Sequence, residues 1–358
     1  MFKKLLCFAL LSLILFSCSS SYEKVVDGVI IHLNKTDGNA RLLKLTVVND
    51  KVIRVSATAA DTFSTAKSLV VDELPVFNDW KLVEKDGKVV IETASLRAYA
   101  DIKTGEVEFK DLDGNTILQE NKGGGKTFIP VEIEGTKGYN IRQVFESPND
   151  EAFYGLGQHQ ADEFNYKGKN EILFQYNTKV SIPVIVSNKN YGIFWDNYSV
   201  TKFGDPRDYA QLSDLKLFDK DGNEGGLTAT YMVNGDANNV FVSRIENTID
   251  YENLTTVKKF PADFPFYNSK ITWEGEIQSD DSGVHRFLLY YAGYTKIWID
   301  GQLMAEKWRT AWNPSVAKFG VSMEAGKKYH IKLEWLPDGG VSYIGLKFLS
   351  PVDPSEQN

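Results

Sequence analysis

The chain has 358 residues, 42% of them hydrophobic and 25% charged, and carries a net charge of −8 at neutral pH. At ~100–200 residues per domain this length predicts two domains, and the composition excludes a largely disordered chain. An acidic chain with no basic run lacks the clustered Lys and Arg that a phosphate backbone demands, so no nucleic-acid partner is expected.

The first residues read as an address. Met1-Phe2-Lys3-Lys4 is a short positive segment, and Leu5 to Phe16 is almost unbroken apolar sequence. That run falls short of the ~20 residues that span a bilayer and has the length of a secretory signal. It ends in Leu15-Phe16-Ser17-Cys18, which looks like a bacterial lipobox with cleavage before Cys18. On this reading residues 1–17 are a lipoprotein signal peptide, Cys18 carries the lipid, and residues 18–24 form the lipidated tether. Each buried methylene adds ~0.8 kcal/mol of membrane affinity. The expected location is the bacterial cell envelope, lipid-anchored at the periplasm or the outer-membrane surface. The alternative is a cleaved secretory signal that ends near a cysteine. Both cysteines, Cys7 and Cys18, lie in this segment, so no internal disulfide and no Cys-X-X-Cys chemistry is expected beyond it. Four widely spaced histidines offer no metal helix; no metal and no cofactor are expected.

Beyond the tether the apolar residues alternate with a period of two. Leu43 to Val47 and Val52 to Val55 flank Asn49-Asp50-Lys51 as a hairpin, and Lys88 to Thr93, Leu96 to Ile102 and Glu106 to Lys110 continue the pattern. Asp-Gly pairs, the favoured chemistry of tight hairpin turns, recur at Asp27, Asp37, Asp86, Asp113, Asp221, Asp300 and Asp338. The best helix candidate is the short stretch Asn239 to Ile249. A barrel or doubly wound fold needs repeated helices, so the fold class is all-β. The polar, glycine-rich stretch Asp219 to Gly226 is the strongest domain boundary. Behind it Ile271 to Ile277, His285 to Tyr291, Thr295 to Asp300, Tyr329 to Trp335 and Tyr343 to Phe348 alternate again, and residues 351–358 read as a linker stump.

Glu151-Ala-Phe-Tyr-Gly-Leu-Gly-Gln158, followed by Asn177-Thr-Lys-Val-Ser-Ile-Pro183 and Asn190-Tyr-Gly-Ile-Phe194, resembles the N-terminal, galactose-mutarotase-like β-sandwich of glycoside hydrolase family 31, the α-glucosidases and α-xylosidases. The resemblance covers about residues 25–225. The block 226–350 resembles a PA-14 domain, with Gly226-Leu-Thr-Ala-Thr-Tyr231 as its opening strand and Trp273-Glu-Gly-Glu-Ile277, Gly283-Val-His-Arg-Phe287, Lys296-Ile-Trp-Ile-Asp-Gly301 and Ala325-Gly-Lys-Lys-Tyr-His-Ile331 behind it. Whether that module is inserted into the first sandwich or appended to it stays open. The order resembles xyloglucan-degrading enzymes of the family, which favours α-xylosidase over plain α-glucosidase. The family's catalytic (β/α)8 barrel has no counterpart here and is expected in the same parent chain.

Retaining glycoside hydrolysis needs two carboxylates ~5–5.5 Å apart. The nearest string to the family's nucleophile strand is Asp221-Gly-Asn-Glu224, which lacks the upstream Trp and sits in a turn, so no catalytic residue is named. Gly-x-Ser-x-Gly is absent too. The resemblance places a pocket-rim loop at Glu171 to Asn177, where Phe174 and Tyr176 offer flat faces to a sugar ring and Gln175 and Asn177 offer donors and acceptors to its hydroxyls. The competing reading is a plain strand with alternate aromatics facing a core. In the turn-rich segment Glu306 to Pro314, Trp308 matches a usually buried position and Trp312 is the expected glycan-stacking residue. Asp280-Asp281 reads as a solvated turn rather than a calcium pair, and His285 and His330 as satisfied sheet histidines.

The expectation is therefore the non-catalytic N-terminal part of a lipid-anchored retaining α-glycosidase, α-xylosidase first, acting on plant oligosaccharides such as xyloglucan fragments. A stand-alone surface glycan-binding lipoprotein without hydrolase activity is the alternative. A packing or dimer-contact role for the second module is a third.

Overall fold

The structure is a computed structural model and describes residues 21–33, 39–72, 75–159, 163–175, 177, 179–251, 260–337 and 343–352. Cys18, Tyr176 and the Asp37 and Asp338 turns lie outside the described residues. The chain divides into two units, Met1–Asn149 and Asp150–Asn358.

In the first unit, strands Tyr22–Val25, Gly28–His32, Leu42–Val47 and Ile53–Thr58 form one antiparallel sheet. Strands Lys81–Lys85, Lys88–Glu92, Arg97–Asp101, Val107–Lys110 and Thr116–Gln119 form a second. Leu43, Leu45 and Val47 are buried while Leu42, Lys44 and Thr46 are only half-buried, the one-sided alternation of a sheet packed on one face. The two inner faces share a core of Val29, Ile31, Leu43, Leu45, Val89, Ile91, Ala98 and Ala100. The hairpin turn Asp86-Gly87 has both residues left-handed, with φ of 53° and 75°, the geometry that a two-residue hairpin requires and that Asp-Gly adopts at low cost. Lys126–Ile133 and Thr136–Gln143 pair as a separate, largely exposed ribbon.

The second unit begins with a three-stranded sheet of Phe153–Gln158, Val180–Ser187 and Tyr191–Phe194, and a pair of short strands, Glu171–Leu173 with Thr201–Phe203. These share a small core of Leu156, Tyr166, Leu173 and Ile185. The rest is a two-sheet sandwich. One sheet runs Ala210–Gln211, Ile344–Leu349, Gly283–Tyr291, Ser315–Met323, with Ile249–Tyr251 also on Ile344–Leu349. The other runs Val240–Glu246, Leu227–Met232, Lys270–Gln278, Lys328–Leu336, Gly293–Ile299, Gln302–Arg309, with Lys216–Phe218 also on Lys270–Gln278. Trp273, Trp335, Tyr231, Phe287 and Phe348 fill the space between them. The strands Ala210–Gln211 and Lys216–Phe218 precede the Asp219–Gly226 stretch in sequence yet pair into this second sandwich.

The described elements are strands and two 3-10 turns, Leu212–Asp214 and Val233–Gly235; the fold is all-β. Among the described residues no helix is long and apolar enough to cross a membrane. The Asn239 to Ile249 helix candidate does not form: Val240–Glu246 is a strand laddered against Leu227–Met232. Its Val, Phe and Ile residues fit a pleated surface better than a helical turn, and the neighbouring strand supplies the ladder.

Candidate functional site

The Phe-Tyr-Gly-Leu-Gly segment bends through three successive left-handed residues, Gly155, Leu156 and Gly157, with φ of 123°, 64° and 97°. A Cβ at Gly155 would stand 2.4 Å from the Val184 carbonyl oxygen and one at Gly157 2.0 Å from that of Val180. Only glycine permits this close approach, and the resulting bulge turns the Leu156 side chain into the small core. It also delivers His159, whose Nε2 donates to the Leu156 carbonyl at 2.8 Å and whose Nδ1 lies 3.5 Å from Glu171 Oε1.

Glu171, 6% exposed, anchors the base of the sequence-predicted loop. Lys179 Nζ stands 3.7 Å from its carboxylate and Lys318 Nζ 3.4 Å. Lys318 belongs to strand Ser315–Met323 of the second sandwich and also donates to the Asn170 carbonyl. Beside it, Asp205 takes a forked contact from Arg207, with Nε at 3.0 Å from each oxygen and Nη2 at 2.6 Å, and a further bond from Arg286. Asn170 Oδ1 accepts from the Asp205 amide at 2.9 Å and from Arg286 at 3.4 Å. Burial alone would raise the Asp205 carboxyl; Arg207 and Arg286 outweigh it and hold the group below its ordinary 3.8. Burial and then the Glu171 charge push the Tyr166 phenol up. These contacts lock the loop base to the second sandwich.

From that base the chain leaves the Glu171–Leu173 strand. Phe174 is 52% exposed, Gln175 and Asn177 are exposed, and Asn177 takes a left-handed φ of 40°, which Asn tolerates. Phe174 and Gln175 therefore lie exposed beyond the strand, and Phe174 does not face a core. Trp312 lies in a turn after strand Gln302–Arg309 and is 82% exposed. Trp308 corrects the expectation of burial: it is 57% exposed. Strand Gln302–Arg309 forms the sheet edge, Ala305 points inward and Trp308 shares the outer face with Glu306, opposite Tyr294. Phase from Ala305 would have found it. The expected turn-rich segment becomes irregular only after Arg309. His285 is fully buried and bonded to Ser279 Oγ at 2.7 Å, and Asp280 pairs with Lys216 at 2.7 Å on the surface.

The buried glutamates are committed to structure. Glu151 accepts from Ser187 Oγ at 2.5 Å and Tyr191 Oη at 2.6 Å. Glu108 accepts from Thr116 at 2.7 Å, and Glu120 binds Lys126 and the Val107 amide. Glu246, barely exposed, receives Tyr231 Oη, Arg244 Nε, Trp273 Nε1 and Tyr251 Oη at 2.5–2.9 Å. Asp221 and Glu224 sit in an exposed turn whose Asp219 accepts from Asn223. A glycosidase carboxylate must be free to take and give a proton or to attack carbon, and Glu151, Glu108, Glu120 and Glu246 are held by their own partners.

The structure defines an all-β protein of packed antiparallel sheets whose buried glutamates are engaged, and comparison with known proteins gives it a family context. The family described as "Glycosyl hydrolase 31 N-terminal galactose mutarotase-like domain" matches residues 42–203, and the PA14 domain matches residues 223–347. The chain carries the N-terminal, non-catalytic domains of GH31 α-xylosidase-like enzymes and is homologous to the GH31 α-xylosidases. An α-xylosidase of Saccharolobus solfataricus is 34% identical over 172 residues, 44% of this chain and 22% of that protein. The crystal structure of a GH31 α-xylosidase from Xanthomonas citri superimposes with a TM-score of 0.82 and 36% identity over 93% of this chain and 36% of its own. An uncharacterised family 31 glucosidase of Pseudescherichia vulneris is 22% identical over 191 residues, 48% of this chain and 36% of that protein. The chain thus spans between 22% and 36% of these relatives' lengths.

Proposed function

We propose that the chain serves a lipid-anchored retaining α-glycosidase, an α-xylosidase acting on plant oligosaccharides such as xyloglucan fragments, by binding carbohydrate and shaping the rim of its pocket. One observation carries this reading: the 93% coverage by an α-xylosidase structure takes in both modules. Phe174, Gln175, Tyr176 and Asn177 contact sugar at the rim, and Trp312 stacks on a glycan. Both catalytic carboxylates belong to a barrel elsewhere in the parent protein, ~5–5.5 Å apart as a retaining displacement requires. The Lys3-Lys4, Leu5 to Phe16 and Cys18 sequence supports tethering in the bacterial envelope.

The chain alone should leave aryl α-xylosides intact, while a polypeptide continuing through the downstream reading frame should hydrolyse them. Turnover by the chain alone would overturn this division of labour. The 82% exposure of Trp312 also suits a stand-alone glycan-binding lipoprotein. A stop codon directly after Asn358 would favour that alternative. On either reading, xyloglucan-loaded affinity gels should retard the chain, and Trp312→Ala should remove most of the retardation.

A further inference from the structure

The outer face of the Ala210–Gln211, Ile344–Leu349, Gly283–Tyr291, Ser315–Met323 sheet carries a groove separate from the loop and from Trp312. Its volume is about 160 Å3, and Asp250, Leu288, Tyr290, Gly345 and Lys347 line it. Strand register brings them together. Gly345 stands opposite Asp250 on one side and Tyr290 on the other; Lys347 stands opposite Gln211 and Leu288. Directly opposed residues share a face of the sheet, so two neighbouring cross-strand rows form the groove.

Gly345 is its floor. Glycine in a strand interior weakens the strand relative to alanine, and it normally marks a bulge, a bend or a close approach. Gly275, in the opposite sheet, shows the usual reason: a Cβ there would stand 2.0 Å from the Phe218 carbonyl oxygen. At Gly345 the nearest atoms to such a Cβ would be Ile249 O at 3.5 Å and Asp250 Oδ1 at 3.7 Å, ordinary contacts that an alanine tolerates. Among the described residues neither packing nor a left-handed φ calls for glycine here. What its absent side chain provides is open space between Asp250 and Tyr290.

The lining selects the chemistry of the occupant. Asp250 Oδ2 lies 3.3 Å from Lys347 Nζ, so the two charges offset each other and favour neither an anion nor a cation. Carboxylate and ammonium side by side present an acceptor and a donor to adjacent hydroxyls. Gln211 Nε2 donates to Asp250 at 2.6 Å, which fixes the amide orientation and leaves Gln211 Oε1 buried without a donor from the protein. Tyr290, with Tyr343 edge-on at 5.8 Å and 70°, and Leu288 supply the apolar wall. The two rows stand two residues apart along the strand, ~7 Å at ~3.4 Å per residue, the footprint of one ring.

We propose that this groove is a subsite for one neutral pyranose residue of a glycan, its hydroxyls on Asp250 and Lys347 and its ring against Tyr290. Leu288 stands opposite Lys318, whose ammonium holds Asn170 and Glu171 at the base of the 174–177 loop. The subsite therefore abuts the loop's anchor, and a glycan held in it lies beside the rim. The sugar class rests on the carbohydrate reading above; the location does not.

Titration of the full chain with D-xylose, D-glucose and D-galactose, followed by saturation-transfer NMR, tests it, with inorganic phosphate as the charged control. At least one sugar should bind saturably in the millimolar range, and phosphate should not. Gly345→Val fills the groove with a residue that strands favour; it should weaken binding at least tenfold with the melting temperature kept. Tyr290→Ala, as a second variant, should also weaken it. No saturable binding of any of the three sugars, unchanged binding in both groove variants, or tighter binding of phosphate would each sink the subsite. Loss in Trp312→Ala with retention in Gly345→Val would sink the subsite and leave the carbohydrate reading standing.

Discussion

Glu120 and Lys126 sit under the start of the exposed ribbon, 3% and 9% exposed at residue and side chain respectively. Burial pushes the Glu120 carboxyl up to about 7 against the pull of Lys126, and burial likewise pulls the Lys126 ammonium down. Desolvation outweighs attraction on both sides. Between the ordinary 4.5 and about 7 the folded chain holds a proton that the unfolded chain has released, so this group's contribution to stability falls as pH rises through that window. Lys126→Met, which strands the carboxylate, should cost ~3–5 kcal/mol at pH 8 and less at pH 5, where Glu120 protonates. The Glu120→Gln, Lys126→Met pair should return to within ~1 kcal/mol of the parent, because removing both charges removes the desolvation penalty with the attraction. Denaturant unfolding at the two pH values checks both. None of this is legible in sequence: two charged residues six apart give no sign that a turn will fold them inward, whereas the Asp86-Gly87 hairpin announces itself.

Strands were legible wherever one face is buried, because alternation then records the core directly. Lys88–Glu92, Lys270–Gln278 and Lys328–Leu336 all fall within a residue or two of their expected bounds. The Val240–Glu246 strand was read as a helix because apolar residues fall on both of its faces, which erases the period-two signal. The loop after Glu171–Leu173 was placed by resemblance alone; its anchor, Asn170, Glu171 and Asp205 bound to Arg286 and Lys318, joins residues more than eighty apart and has no local signature. Asp205 is held below its ordinary value, so its contribution is complete above that value and disappears as pH falls through the lowered folded value. Asp205→Asn should therefore destabilise the second unit by ~2–3 kcal/mol at pH 7, less than a fully buried pair because Arg207 and Arg286 keep some water. The deficit should shrink as pH falls through the lowered folded value, as acid unfolding followed by tryptophan fluorescence would report. An unchanged acid transition would mean that the joint is ornamental.

Across the whole molecule, composition marks the glycine-rich Asp219–Gly226 stretch, while hydrogen bonding draws the second sandwich from further upstream. Leu212, Leu215 and Leu217, at 0%, 7% and 4% exposure, belong to its core, and each buried leucine is worth ~1.5–3 kcal/mol. A fragment spanning 206–352 should therefore fold cooperatively, whereas 226–352 should melt at least 10 °C lower or aggregate, with differential scanning calorimetry as the measure. Equal melting temperatures would show that the upstream strands are decoration. The Asp219–Asn223 turn is tight and the PA14 match begins at residue 223, while the strands before it pair into the same sandwich.

The Arg286–Asp205 and Lys318–Glu171 contacts have a consequence for anyone recombining modules of this kind. A PA14 domain transplanted by its own borders would arrive with two cations and no carboxylates to receive them, and the host loop would lose its brace. The unit of exchange is the domain together with the short host strands beneath it, so chimaeras that carry residues 170–171 and 205–207 along with the graft should behave, and those cut at the compositional seam should not.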